Sequence, residues 1–383
     1  MTSKPNENLL RRFVKGKEIQ TGLHLIATPD TKQLVDSVVS KVQRLLDLAV
    51  ENGPSVNKKE KVTYEVLPQY TQFPTEEMIS KLKKSVRGKK VFFFSDPNGD
   101  YQPEGKQKLS LNDKFMHDLL TLSAIRLHGA HKTNMIIPCL PYARQDDMTP
   151  KERQPASLQV IAEMISKYTG KEGYVMTEDI HNKATTSSAL KDTKYINLYT
   201  GWFIEECINR MNKEEIILSS ADQGGDKKIS AIAKEKSLKN IIVLKTRDYS
   251  KQSEGDSTVE DINVFGDVEG KDILIHDDML DTGGTMCKLI KELLKKKPKS
   301  INVATTHGMF NGKALEKLQK VKDESEGIFG KIYITNSINK KGLPDFIETI
   351  DISTIIANNI VRIYKGLGVD RNDNIDYTKE REE

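Results

Sequence analysis

The sequence predicts an α/β protein built as two similar, doubly wound domains with largely parallel sheets. Three observations predict it. Short apolar runs alternate with helix-patterned stretches almost throughout, the second half repeats the order of the first, and 383 residues exceed what one hydrophobic core usually organises.

Taken in order, residues 91–94 (VFFF) read as a strand, 115–127 as a helix and 135–138 (MIIP) as the next strand. Residues 157–168 carry Leu158, Ile161, Ala162 and Ile165 at helical spacing, with Ser157 as the expected cap. A strand at 174–176 follows. The second half reads as strand 215–218, helix 226–236, strands 240–244 and 272–276, helix 285–297, and strands 300–305 and 331–335. Strand and helix in alternation place parallel strands under helical cover. The change of domain falls near 197–201, giving a first domain at 1–197, a second at 198–364 and a polar tail at 365–383. Residues 51–61 and 96–112 are rich in turn formers and read as surface loops.

Composition narrows the function. Charged residues make up 30% and no run of 18 apolar residues occurs, so no membrane partner is expected. The opening residues lack the apolar run of a secretory signal. Lys and Arg exceed Asp and Glu by only 59 to 55, too little for a nucleic-acid binder. Cys139, Cys207 and Cys287 lie far apart, which gives no metal-ligand spacing and fits a reducing, cytoplasmic compartment.

The sharpest chemical feature spans residues 273–285, ILIHDDMLDTGGT. An apolar strand ends in Asp277 and Asp278; a short loop through Asp281, Thr282, Gly283 and Gly284 leads to a helix beginning near Thr285. The paired glycines let backbone approach an anion closely, and the amides of a helix start, with two threonine hydroxyls, can wrap a phosphate. The carboxylates suit sugar hydroxyls or hydrated Mg²⁺. The bland alternative is an ordinary glycine-rich corner. No Gly-Lys-Ser/Thr follows, which excludes a Walker loop.

This D-D-x-x-D-T-x-G-T pattern resembles the phosphoribosyl-diphosphate loop of type I phosphoribosyltransferases. Further segments narrow the resemblance: P-Y-A-R-Q-D at 141–146, Lys151, Arg153 and Pro155, S-A-D-Q-G-G at 220–225, T-H-G-M-F at 306–310 and T-N-S-I at 335–338. From about Leu23 to about Tyr364 the chain resembles the ribose-phosphate diphosphokinases (phosphoribosyl pyrophosphate synthetases). That resemblance implies two phosphoribosyltransferase-like domains. It also implies transfer of the β,γ-diphosphoryl group of ATP to the C1 hydroxyl of ribose 5-phosphate, with Mg²⁺, and a homo-oligomer built from dimers and extending to a hexamer.

Carried over residue by residue, the resemblance makes Lys245 and Arg247 the catalytic cations of a mobile flap. It makes Phe73, Glu77, Arg144, Gln145, Asp146 and His181 the ATP contacts, and His181 and Asp222 the metal-site residues. Asp222 joins Asp277, Asp278, Asp281, Thr282, Gly283, Gly284 and Thr285 around ribose 5-phosphate. By residue type alone, Lys245 and Arg247 read as solvated cations, His181 as a surface or satisfied-core histidine, and Phe73 equally well as a buried packing aromatic or a stacking one. The chain also departs from the pattern. Ala221 replaces a proline, Asp147-Met148 replaces a basic pair, residues 182–189 differ after His181, and residues 365–383 lack the usual serine-containing regulatory segment. A non-catalytic regulatory paralogue and a phosphoribosyltransferase that consumes the product are the rival readings.

Overall fold

Residues 23–27, LHLIA, are buried at every position and form the first strand of a parallel sheet. The computed structural model describes residues 22–51, 61–67, 70–104, 109–147, 153–213, 215–247 and 259–367. The chain divides into two units. Among the described residues the first runs through Tyr199 and also takes Ser337–Asn339 and residues from Asp351 onward; the second holds Thr200–Asn336 and Lys340–Ile350.

In chain order the first unit contains β1 (Leu23–Ala27), α1 (Lys32–Glu51), β2 (Thr63–Val66), β3 (Thr71–Gln72), β4 (Met78–Ile79), β5 (Lys90–Phe94) and α2 (Leu111–Leu127). It continues with β6 (Lys132–Ile136), α3 (Ser157–Thr169), β7 (Tyr174–Glu178), α4 (Lys183–Ala189) and β8 (Lys194–Leu198). The main sheet has the order β2-β1-β5-β6-β7-β8, with every pairing parallel. Ile26, Val91, Phe93, Met135 and Val175 meet Leu122, Ile125, Leu158 and Ile165 of α2 and α3 in one core. Strands β1 and β5 are buried at every position, so apart from His24 and Lys90 they carry apolar residues rather than an alternation.

The second unit contains α5 (Gly201–Met211), β9 (Ile216–Ser220), α6 (Gln223–Glu235), β10 (Lys239–Arg247), β11 (Val259–Phe265), β12 (Asp272–Leu280) and α7 (Gly284–Leu294). After these come β13 (Ser300–Gly308), α8 (Ala314–Glu324), β14 (Phe329–Thr335) and β15 (Ile347–Ile350). The order is β11-β10-β9-β12-β13-β14-β15, antiparallel only between β10 and β11. Ile273, Ile275, Ile301 and Val303 pack against Leu289, Ile290, Leu293 and Leu318.

The last helix, α9 (Ser353–Tyr364), belongs to the first unit, whereas the sequence reading ran the second domain to 364. It packs on α1, with Ser353 Oγ 2.9 Å from Ser37 Oγ and Lys41 Nζ 2.9 Å from Asp351, and Lys90 Nζ donates to the Tyr364 carbonyl at 2.8 Å. Other boundaries shift for local reasons. Helix α2 begins at Leu111, not 115, because Ser110 and Asp113 form a capping box: Ser110 Oγ accepts the Asp113 N–H at 3.2 Å and the Asp113 carboxylate accepts the Ser110 N–H at 2.8 Å. Ser157 is the first residue of α3 and caps nothing; the cap position is Ala156, without a side-chain bond. The expected loop at 51–61 lies largely outside the described residues, as does the flap at 248–261; the polar stretch from 370 lies wholly outside. Among the described residues, no helix is long and apolar enough to cross a membrane.

Candidate active site

From β9 the second sheet proceeds to β10 on one side, and from β12 to β13 on the other. The carboxyl ends of β9 and β12 therefore flank the point where the winding reverses, the place where open α/β sheets open a crevice. Asp222 follows β9 directly, and Asp277 and Asp278 lie near the end of β12.

Strand β12 runs through both carboxylates instead of ending before them. Asp277 pairs with Thr305 and Met279 with His307 on β13. Consecutive strand residues point to opposite faces, so the two acids do not share one face. Asp277 Oδ1 accepts the Asp278 N–H at 3.1 Å and Asp278 Oδ1 accepts the Met279 N–H at 2.9 Å, which sets both side chains close to the backbone.

The loop after β12 is braced from β13. The N–H groups of Met309 and Phe310 donate to the Leu280 carbonyl at 2.9 and 3.0 Å, and the Asn311 N–H donates to the Asp281 carbonyl at 3.1 Å. Asn311 Nδ2 also donates to Asp281 Oδ1 at 2.8 Å. Gly283 sits at φ 72°, the left-handed region that favours glycine, and its carbonyl accepts the Cys287 N–H at 2.9 Å. A Cβ built on Gly284 would meet nothing within 4 Å. No side chain caps α7, and the half-buried Thr285 and exposed Thr282 stand beside its first amides. A helix start of this kind attracts an anion through its amides and its dipole.

Asp222 caps α6, with Oδ1 accepting the Gly225 N–H at 3.1 Å. Ser220 Oγ donates to the Asp222 carbonyl at 2.6 Å and also reaches Asp226. The Ala221 N–H donates to the His276 carbonyl at 2.9 Å, tying the end of β9 to β12. A proline at 221 has no such hydrogen to give.

Lys245 and Arg247 lie on β10 itself and not after it. Register with β11 pairs Lys245 with Ile262 and Arg247 with Val259, with a bulge between Thr246 and Arg247. Pairing of β10 to β9 stops at Ile241 opposite Ser219, so both cations stand on the part of β10 that projects past the carboxyl edge.

The expected nucleotide residues fall in the first unit. Arg144 and Gln145 are exposed in the turn that follows β6, where the Gln145 N–H donates to the Tyr142 carbonyl at 2.9 Å and its own carbonyl takes the Leu158 N–H at 3.2 Å. Asp146 follows them, half-buried. His181 is exposed after β7, the strand next to β6, between a left-handed Asp179 at φ 42° and Asn182, which caps α4. Phe73 and Glu77 close the neck of the β3–β4 hairpin: the Phe73 N–H donates to the Glu77 carbonyl at 2.9 Å, Thr75 Oγ1 donates to Glu77 Oε2 at 2.8 Å, and the Phe73 ring is 48% exposed. Lys151 and Met148 lie outside the described residues. Sequence reasoning gave no role to Ser220 or Asn311, which act by bracing loops. The only signal was their place inside or next to matched motifs.

A doubly wound unit with two carboxylates and an uncapped, glycine-led helix start at its switch point is of the phosphoribosyltransferase class, and comparison with known proteins agrees. A family model for the N-terminal domain of ribose phosphate pyrophosphokinase matches residues 25–168, and one for the phosphoribosyl transferase domain matches 190–335. The chain is 31% identical to a ribose-phosphate pyrophosphokinase of Mycoplasma genitalium, over 78% of this chain and 83% of the relative. It is 30% identical to ribose-phosphate pyrophosphokinase 2 of Schizosaccharomyces pombe, over 78% and 86%. Its fold matches a phosphoribosylpyrophosphate synthetase from Mycobacterium smegmatis with a TM-score of 0.70 at 22% identity, covering 90% of this chain and all of that one. The chain belongs to the ribose-phosphate pyrophosphokinase family and is an enzyme; enzymes of this kind generally work with a metal ion.

Proposed function

We propose that the chain transfers the β,γ-diphosphoryl group of ATP to the C1 hydroxyl of ribose 5-phosphate, forming phosphoribosyl diphosphate and AMP in the cytoplasm for nucleotide biosynthesis. The observation that carries this reading is the uncapped start of α7, opened by Gly283 and Gly284 beside two carboxylates. The amides of Gly284 and Thr285, with the Thr282 and Thr285 hydroxyls, hold the 5-phosphate. Asp277 and Asp278 accept from sugar hydroxyls, and Asp281, fixed by Asn311, keeps the loop open.

In the reaction the C1 oxygen bonds to the β-phosphorus, the bond from that phosphorus to the α–β bridging oxygen breaks, AMP leaves with the bridging oxygen, and the hydroxyl proton passes to solvent. Charge builds on the β-phosphoryl oxygens, and Lys245 and Arg247 are the cations that offset it. Arg144, Gln145, Asp146 and His181 contact ATP, while Phe73 stacks on its base and Glu77 accepts from the exocyclic amine. The exposure of Phe73 fits a hairpin that serves a neighbouring copy, hence a dimer-based homo-oligomer.

Among the described residues, no cluster of three or more His, Cys, Asp or Glu side chains could hold a metal. Mg²⁺ needs no such cluster, because it keeps its waters and takes one or two carboxylates besides substrate phosphates. Asp222 would supply a carboxylate and His181 a ring nitrogen towards such an ion, which when bound would neutralise phosphate charge. The test is incubation with ATP, ribose 5-phosphate and Mg²⁺. AMP and phosphoribosyl diphosphate are expected in equal amounts, and absence of AMP at every phosphate concentration refutes the reading in favour of a regulatory paralogue. Lys245→Ala or Arg247→Ala is expected to lower kcat by about a hundredfold or more with little change in sugar KM.

A further inference from the structure

Thr305 is fully buried on β13, and its hydroxyl has no hydrogen-bond partner. A buried hydroxyl without a partner is costly, and valine fills the same space without that cost. The surroundings of Thr305 narrow what the hydroxyl is for. Across β13 it pairs with Ile334 of β14 on one side and Asp277 of β12 on the other. Side chains paired in register lie on the same face of a parallel sheet, with strands about 4.8 Å apart. That face is otherwise apolar at the preceding positions, where Ile275 pairs with Val303 and Ile273 with Ile301. Of the two lateral neighbours of Thr305, only Asp277 is polar.

We infer that Thr305 is a positioning residue for Asp277, whose hydroxyl donates to that carboxylate when the sugar binds and so aims it at the ribose hydroxyls. The inference rests on the ribose 5-phosphate reading given above. In the structure Asp277 Oδ1 is turned to the Asp278 N–H, a local bond that a sugar diol competes with. The hydroxyl one strand away steadies the carboxylate in the turned position, so the cost of its burial is recovered only in the bound state.

The test compares Thr305→Val and Thr305→Ser with the wild-type chain by calorimetric titration with ribose 5-phosphate and, separately, with Mg²⁺-ATP. Thr305→Val is expected to weaken sugar binding about tenfold and to leave ATP binding within about twofold. Its unfolding midpoint without ligand should match or exceed that of the wild type. Thr305→Ser, which keeps the hydroxyl, should restore wild-type sugar affinity. Undiminished sugar binding by Thr305→Val overturns the inference. So does a variant that fails to fold, or one that loses sugar and ATP binding together with stability, because each marks a packing role. If the wild-type chain itself does not bind ribose 5-phosphate, the proposed function falls as well; if it binds and only the valine variant is indistinguishable, the positioning role alone falls.

Discussion

At the scale of single residues, two titrating groups of the first unit are both held below their ordinary values and tie stability to pH in different ranges. Lys132 opens β6 with its ammonium 4.8 Å from the centre of the Tyr174 ring. Burial, then the charges of Lys194 and Lys90, push it down to about 8. Below that pH both folded and unfolded chains hold the proton. From about 8 to the ordinary lysine value of 10.5 the unfolded chain holds more, so this group adds stability as pH rises. Lys132→Gln is therefore expected to raise the urea midpoint at pH 7, with the gap from the wild type closing between pH 8 and 10.5. Glu65 acts in the acid range, where the fold favours its charged form. Burial works to raise it, but His24 Nε2 at 3.3 Å and the N–H groups of Lys83 and Lys84 at 2.8 and 3.1 Å outweigh that and hold it below 4.5. Its contribution is complete above 4.5 and is lost as pH falls through the lowered value. Glu65→Gln should flatten the acid limb of the midpoint–pH curve; an unchanged limb would place the acid sensitivity elsewhere.

At the scale of elements, Asp222 joins two roles that substitution separates. Asn caps a helix as well as Asp does, whereas Ala does not. Asp222→Asn should keep the wild-type unfolding midpoint while losing activity, and Asp222→Ala should lose activity and about 1 kcal/mol of stability. Equal activity in the Asn variant would remove Asp222 from the reaction. The sequence made elements legible where apolar period was strong, as in α3, and where covered strands ran unbroken, as in β5. It left β2, β8 and β11 unread, because edge or partly exposed strands mix polar and apolar residues, and it also passed over α1 and the buried β1, whose apolar run His24 interrupts. It also stopped β12 and β10 short, since a strand that continues into charge looks like a strand that ends. The loop from Asp277 to Thr285 was legible because its chemistry is contiguous. Thr305, Ser220 and Asn311 were not, because they act across strands and loops that only folding brings together.

At the scale of the whole molecule, each unit has its own core, and the first also encloses an ion pair. Lys114 Nζ lies 3.0 Å from Asp30 Oδ2 and donates to the Gly99 carbonyl at 2.6 Å, and both charged side chains are essentially solvent-free. Tyr70 Oη donates to Asp30 Oδ2 at 2.9 Å and the Tyr101 N–H to Oδ1 at 2.8 Å. A Cβ on Gly99 would come within 2.3 Å of Asp30 Oδ1, so glycine is required there by close approach. Burial raises the Asp30 carboxyl and Lys114 pulls it back. Lys114→Met leaves that carboxylate without a counter-charge and is expected to cost about 3–5 kcal/mol in urea unfolding. The loss should shrink at acid pH, where the carboxyl takes a proton, and hydrogen exchange should quicken in the first unit. A loss that does not change with pH would mean lost packing and not a stranded charge.

The return of α9 to the first unit has a consequence during synthesis. A ribosome delivers α1 early and α9 only after every strand of the second unit has emerged. The nascent chain can therefore complete the second unit while the surface of α1 that α9 covers is still bare, which leaves that surface open to a chaperone until α9 arrives.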